Sequence, residues 1–469
     1  MIQINDINQD PSMDLFASPC RLDPNLRSLL DEVASYLCEW YANASNSSPL
    51  PEFVNCPDVA PLSKGISRDE LLNDLQKIID GSYQPSSPGA LAHLDPPPLT
   101  ASIVGDLVSA GLNNNLLAKE LSPSLSVLER NLCKWMATAL GMPETSGGVA
   151  ASGGSLSNLM ALVLARHKSN LSFDTKIAII ANSDAHVSIT RALKIMGLPS
   201  NVFFAIKPNN NGEILISEIN KCLVKIKSKG LKCLAIIATA GTTFSGDIDP
   251  IEDIAQICSS NKIWLHVDAS IGGVFGLSNS TKDLLKGISL ADSVTVNPQK
   301  VLGITKTSSL LLVSDINNLY NCFSTGFPYL DPSNQFEFQG GELGIQGSRS
   351  PEILKLWLGL RQLGINGITS VLENSIARKK YFLEQLDSTT FNIKTGPLHL
   401  TSFSPKNLSN DEAAIWANKT KHLLLQNKFM LSRPFYNKRY YLKAVFGNPH
   451  TQSSHIDILS KIINKSVKV

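Results

Sequence analysis

Lys300 closes the segment Val296-Asn297-Pro298-Gln299-Lys300, directly after an apolar run. An amine placed there becomes a nucleophile toward a carbonyl once burial or a neighbouring cation lowers its pKa. A second apolar run, Trp264-Leu265-His266-Val267-Asp268-Ala269-Ser270, leads into the carboxylate of Asp268, and an ionised Asp at the end of a buried strand is costly unless it meets a cation or strong donors. Ser183-Asp184-Ala185-His186 sets an imidazole straight after a third run. Ala151-Ser152-Gly153-Gly154-Ser155 precedes the helical stretch LMALVLARH, so backbone N–H groups and the helix dipole can meet a phosphate there. Ala238-Thr239-Ala240-Gly241-Thr242-Thr243 follows a further run, with Asp247 and Asp249 shortly after.

Taken singly, each of these has an ordinary reading: a helix cap, a surface histidine, a glycine turn, a paired aspartate, a solvated lysine. Together they supply a phosphate cradle, a flat partner for a ring, an anion and an amine. That set matches the needs of pyridoxal 5'-phosphate, whose phosphate, ring, pyridine nitrogen and aldehyde each require one of them.

The elements that position these groups follow from hydrophobic patterning. Apolar runs at 176–181, 202–206, 233–239, 263–268, 293–296 and 308–313 alternate with helical stretches, which predicts a mostly parallel sheet covered on both faces. In such sheets ligands bind beyond the carboxyl ends of the strands, where the residues above lie. Before this region, residues 25–42 place Leu26, Leu29, Leu30, Val33, Leu37 and Trp40 at helical spacing, and a second helix is expected over 68–79. After Ser350 the helical PEILKLWLGLRQLG leads to a second helix and a strand-like YYLKAVFG. The expected organisation is an N-terminal helical arm over 1–90, a large cofactor-binding domain over 91–350 and a small α+β domain over 351–469.

The 469 residues are 43% hydrophobic and 17% charged, an ordinary globular composition. The 42 basic and 40 acidic residues are interspersed, which argues against nucleic acid as a partner. Eight cysteines stand apart, without a CxxC pair or zinc spacing, so no metal site is expected and the thiols read as reduced in a cytoplasmic protein. The start, MIQINDINQDPSMDLF, does not read as a secretion signal, and no apolar run approaches membrane-spanning length, so no membrane partner is expected.

The motifs LDPPP, LSPSLSVLER, SGGSLSN, SDAH, AGTT, HVDAS, NPQK, QGSRSPEILKLW and GNPHT occur in this order from about Leu91 to the end. In that order and spacing the chain resembles the group II pyridoxal-dependent decarboxylases, the family of aromatic amino acid, glutamate and 2,4-diaminobutyrate decarboxylases. The resemblance implies fold type I, an aspartate aminotransferase-like α/β architecture, and a homodimer whose N-terminal arm wraps the partner. It implies removal of carbon dioxide from an L-amino acid to leave the amine. By position, Lys300 would bind the cofactor covalently, Asp268 would meet the ring nitrogen and His186 would stack on the ring. Gly154, Ser155 and Asn297 would hold the phosphate, with Thr242 and Ser270 close to the ring.

The chain departs from the family pattern at four places. Gln299 replaces the usual His before the lysine, Leu156 replaces Glu after Gly-Gly-Ser, and Ser270-Ile271 replaces Ala-Tyr. The loop over 323–346 carries one clear tyrosine, Tyr329, as candidate proton donor, while Phe336 and Phe338 lie nearer the expected distance from Gly347. A phenylalanine at the donor position would favour an aldehyde-forming side reaction with oxygen, so a decarboxylating aldehyde synthase is the alternative enzyme. A catalytically poor binding or regulatory relative is the alternative of another class. Lys443 stands where relatives carry an Arg near the substrate carboxylate, Arg433 is a second cation nearby, and the LDPPP segment favours a small polar substrate such as L-2,4-diaminobutyrate.

Overall fold

Strands buried on both faces require unbroken apolar sequence, and in the computed structural model the runs anticipated above become such strands. The structure describes residues 15–326 and 338–467. These fall into two compact units, 1–87 and 88–469.

In the first unit, helix α1 (Pro24–Ala42) starts at Asp23, whose carboxylate accepts the Asn25 and Leu26 N–H groups. Helix α2 (Arg68–Asp80) starts in a reciprocal capping box between Ser67 and Glu70. An Arg68 to Glu32 ion pair at 2.6 Å links the two helices.

The second unit is built on a seven-stranded sheet. It opens with helices α3 (Thr100–Leu112) and α4 (Pro123–Ala139). Strand β1 (Gly147–Ala151) leads into helix α5 (Gly154–Lys168), β2 (Ile177–Asn182) into α6 (Ser188–Ile195), and β3 (Phe203–Ile206) into α7 (Ile216–Ser228). Then come β4 (Lys232–Thr239), α8 (Ile251–Asn261), β5 (Trp264–Ala269), β6 (Ser293–Val296), β7 (Ser309–Val313) and α9 (Asn317–Phe323). The strand order is β1-β7-β6-β5-β4-β2-β3. Strand β7 runs antiparallel to both its neighbours, and the pairings from β6 through β5, β4 and β2 to β3 are parallel.

Alternation along the strands divides the core. Ile180, Ile236, Leu265, Val267 and Val294 enter one buried cluster, while Ile179, Ile237, Trp264 and Leu311 enter the cluster under α5 and α6. His266 and Asp268 share the parity of Trp264, so both project toward α5, an otherwise apolar face.

The C-terminal part supplies a smaller α+β layer. Helix α10 (Ile353–Gln385) bends at Gly364, whose φ of 58° combined with a ψ of 176° is essentially confined to glycine. Strands β8 (Phe391–Thr395), β9 (Leu400–Pro405) and β12 (Leu442–Val445) form an antiparallel sheet in the order β12-β9-β8. A short hairpin, β10 (Phe435–Tyr436) and β11 (Arg439–Tyr440), precedes β12. With helices α11 (Asn410–Gln426) and α12 (Ser453–Lys465) the strands enclose a separate core around Phe382, Phe403, Trp416 and Phe446.

Candidate active site

The segments leaving β2, β4, β5 and β6 meet at one sheet edge, beside the start of α5. Asp268 is the penultimate residue of β5, with 6% of its surface exposed. One carboxylate oxygen accepts the Ser270 N–H at 3.1 Å and the Ser270 hydroxyl at 2.6 Å, and the other accepts Asn158 Nδ2 at 2.8 Å. Burial pushes its pKa up, but the Lys300 charge, the Ser270 hydroxyl, His266 and Asn158 together hold it below the ordinary carboxylate value.

Lys300 ends a one-turn helix, Pro298–Lys300, that follows β6. Burial lowers its pKa, against the opposing pull of Asp268 and Asp95. A buried ammonium of this kind gives up its proton more readily than a surface lysine, the condition for an amine nucleophile. His186 precedes α6; its Nδ1 accepts the Ser188 N–H at 3.2 Å and lies 2.9 Å from the Ser188 hydroxyl. The neutral ring therefore carries its proton on Nε2, and burial lowers its pKa further from the charged form.

The first turn of α5 has no side-chain cap. A Cβ at Gly154 would lie 2.8 Å from Asn297 Nδ2 and 2.8 Å from Ser270 Oγ, so only glycine leaves this cradle open. Asn297 Oδ1 accepts the Ser309 hydroxyl at 2.7 Å, and Ser309 is 2.8 Å from Ser157 Oγ. These bonds fix the Asn297 amide with its NH2 toward Gly154. Ser155 sits exposed in the same first turn. Uncapped N–H groups, the helix dipole and an aimed amide donor could hold a phosphate, and with Asp268, His186 and Lys300 alongside, the residues fit pyridoxal phosphate.

Thr242 is buried, but its hydroxyl donates to Asp247 at 3.0 Å and so is committed to its own turn. Lys443 on β12 reaches the same edge, where Nζ donates to the Thr243 carbonyl at 3.2 Å. Its pKa is lowered by burial, with Asp95 opposing and Lys300 reinforcing the shift. Arg433 instead packs on the Tyr440 ring, 4.3 Å from its centroid. Asp95, from LDPPP, pairs with Lys306 at 2.7 Å. Tyr329 and Phe336 lie outside the described residues, and Phe338 stacks on Tyr320 with centroids 4.6 Å apart.

Sequence reasoning passed over Asn158, His266 and Ser188. The signals were weak: Asn158 lies one helical turn beyond Gly154, and His266 two residues before Asp268. Among the described residues no His/Cys/Asp/Glu group could hold a metal ion, and no helix is long and apolar enough to cross a membrane.

Residues 56–402 match the family model described as the pyridoxal-dependent decarboxylase conserved domain. The chain is 27% identical over 394 residues to the acidic amino acid decarboxylase GADL1 of Mus musculus, covering 80% of this chain and 70% of that one. It is 28% identical over 365 residues to the cysteine sulfinic acid decarboxylase of Rattus norvegicus, covering 75% and 72%. The crystal structure of mouse CSAD in apo form superposes with a TM-score of 0.87 at 23% identity, covering 94% of this chain and 98% of that one.

Proposed function

Because this chain belongs to the pyridoxal-dependent decarboxylases and is accordingly a pyridoxal phosphate-dependent amino acid carboxy-lyase, we propose that its substrate is a small L-amino acid with an acidic side chain. Pyridoxal phosphate, when bound, supplies an aldehyde that condenses with amines and a conjugated ring that accepts the electron pair left by departing carbon dioxide. In this reading Lys300 is the covalent anchor, and its lowered pKa keeps the amine available as nucleophile and, once displaced by substrate, as a base. Asp268 stays ionised and holds a proton at the ring nitrogen. The neutral His186 packs against the ring. The N–H groups of Gly154 and Ser155 with the Asn297 amide take the phosphate, and Ser270, placed between Asp268 and that cradle, orients the carboxylate.

Lys443 carries the substrate assignment. Its ammonium is half-buried at the strand edge with a carbonyl as hydrogen-bond partner and, among the described residues, no carboxylate bonded to it. Such a charge is stabilised by an incoming anion. Asp95, which a cationic side chain such as that of 2,4-diaminobutyrate would need, is already paired with Lys306. The charge balance thus favours an acidic substrate over diaminobutyrate, and the names of the relatives agree with it. Carbon dioxide release should be fastest with aspartate, glutamate or cysteine sulfinate in a panel of L-amino acids; faster release from diaminobutyrate or an aromatic amino acid overturns the assignment.

The reading includes a homodimer. Val104, Leu107, Val108 and Leu112 recur at helical spacing along α3 and are 39–52% exposed, an apolar stripe suited to burial by a second copy. Sedimentation of the holoenzyme at the mass of one chain would remove that part.

A further inference from the structure

A buried chain of side chains between the sheet and α5 reaches the Asp268 carboxylate. The Trp264 indole N–H donates to Ser293 Oγ at 2.9 Å. Ser293 Oγ is 2.9 Å from His266 Nδ1, His266 Nε2 is 3.0 Å from Asn158 Oδ1, and Asn158 Nδ2 donates to Asp268 at 2.8 Å. The same amide nitrogen donates to Ser188 Oγ at 2.9 Å, and Ser188 adjoins His186 Nδ1.

The carboxylate end fixes the protons along the chain. An ionised carboxylate can only accept, so the Asn158 NH2 must face Asp268 and its carbonyl must face His266. The neutral His266 then carries its proton on Nε2, which leaves the Nδ1 lone pair to accept the Ser293 proton, while the Ser293 oxygen takes the Trp264 N–H, which can only donate. His266 has no exposed surface, and burial takes its pKa down to about 4, so it stays neutral in this role. The second Asn158 N–H donates to the Ser188 oxygen, whose own proton can point to His186 Nδ1, a nitrogen that the Ser188 backbone N–H already keeps as an acceptor.

We propose that Asn158 is a positioning residue for Asp268: its amide donor keeps that carboxylate ionised beneath the ring nitrogen, while its second N–H holds the Ser188 hydroxyl beside the stacking His186. His266, Ser293 and Trp264 act behind it by locking the amide against rotation. The proposal rests on the reading of Asp268 as the partner of the ring nitrogen. Three charged or titratable groups face Asp268: Lys300, His266 and His186. His266 and His186 are neutral in this scheme and Lys300 is engaged as the covalent anchor, so the neutral donors of Asn158 and Ser270 provide the protein's stabilisation of the carboxylate.

Asn158→Asp is nearly isosteric and reverses the polarity toward Asp268, placing two carboxylates against each other so that one takes up a proton. The cofactor-loaded variant is expected to fold, to lose about tenfold or more in kcat, and to show a cofactor absorbance that changes with pH where that of the parent is flat. Asn158→Leu should lower kcat similarly while leaving the absorbance less pH-dependent than in Asn158→Asp. Asp268→Asn is run beside them. If Asp268→Asn is strongly impaired while both Asn158 variants match the parent in kcat and in absorbance, the inference falls and the Asp268 reading stands. If Asp268→Asn also matches the parent, both fall. Should neither Asn158 variant fold, the unmutated holoenzyme loaded with ring-15N pyridoxal phosphate decides: a nitrogen shift that stays protonated over the folded pH range supports the relay, and one that titrates overturns it.

Discussion

At the residue scale, chemistry depends on a few groups whose ionisation departs from that in water. Lys300→Ala should abolish turnover and the visible absorbance of covalently bound cofactor, and borohydride should trap no cofactor on the variant; trapped cofactor would move the anchor to another lysine. Lys443 gives a subtler test. Burial lowers its pKa, so its charge is lost at a lower pH than that of a free lysine, and KM for an acidic substrate should rise as pH rises through that lowered value. Lys443→Arg, which remains charged, should flatten this rise, while Lys443→Met should raise KM by about tenfold, or ~1.4 kcal/mol of binding, at neutral pH. A KM unchanged in Lys443→Met would assign the anion to another group. That Asp268, His186 and Lys300 gather at one sheet edge was legible in the sequence because each lies at or shortly after the end of an apolar run, and such runs become strands that share that edge. Asn158 was not, because its partners His266 and Asp268 lie 108 and 110 residues away and meet it only through the fold.

At the scale of elements, legibility followed burial. Strands β2, β4, β5 and β7 are buried nearly throughout; β2, β4 and β7 each carry an unbroken apolar run, while β5 is interrupted only by His266 and Asp268. Strand β1, Gly147–Ala151, was missed. Its GGVAA sequence carries no β signal of its own, and it is a strand because β7 pairs with it from Gly147↔Val313 to Ala151↔Ser309. A Cβ at Gly148 would meet the Leu311 carbonyl at 2.5 Å, so small residues are required there by the neighbouring strand. The turn from β1 into α5 builds the phosphate cradle, and Gly154→Ala should weaken cofactor binding by about tenfold or more (~1.4 kcal/mol) while the melting temperature of the cofactor-free protein changes little. Equal cofactor affinity in the variant would place the phosphate elsewhere. The base of the same strand depends on Glu129 of α4, which accepts the Ala150 N–H at 2.9 Å and forms a two-bond ion pair with Arg349 at 2.6 Å. Both side chains are 6% exposed, so Arg349→Leu leaves an unpaired buried carboxylate and should destabilise the protein by about 3–5 kcal/mol in urea denaturation.

At the scale of the whole molecule, the same burial that tunes the site makes stability depend on pH. His266 and His399 have no exposed surface, and burial takes their pKa values down from the ordinary 6.5 to about 4 and about 3. The unfolded chain therefore binds protons at these positions at a pH where the folded chain does not. Each histidine contributes stability that is complete above 6.5 and is lost as pH falls toward the folded value. Asp249 acts in the opposite sense. Burial raises its pKa from 3.8 to about 6, so the folded chain takes up a proton there first and gains relative stability as pH falls through that interval. Two groups oppose one, and unfolding midpoints should fall between neutral pH and about 4.5, with cofactor occupancy held constant. His399 offers the cleaner test of this balance, because His266 belongs to the relay behind Asp268. Among the described residues neither ring nitrogen of His399 has a hydrogen-bond partner, and the ring stacks on Phe275 at an interplanar angle of 21° with centroids 5.9 Å apart. A neutral imidazole buried in this way leaves an N–H unsatisfied, and its hydrogen bonds to water are lost on folding without replacement. His399→Phe keeps the flat ring against Phe275 and removes both the unsatisfied nitrogens and the titration. The variant should be at least as stable as the parent at neutral pH, and its midpoint should fall less on acidification. A parallel fall in both proteins would assign the acid sensitivity to groups other than His399.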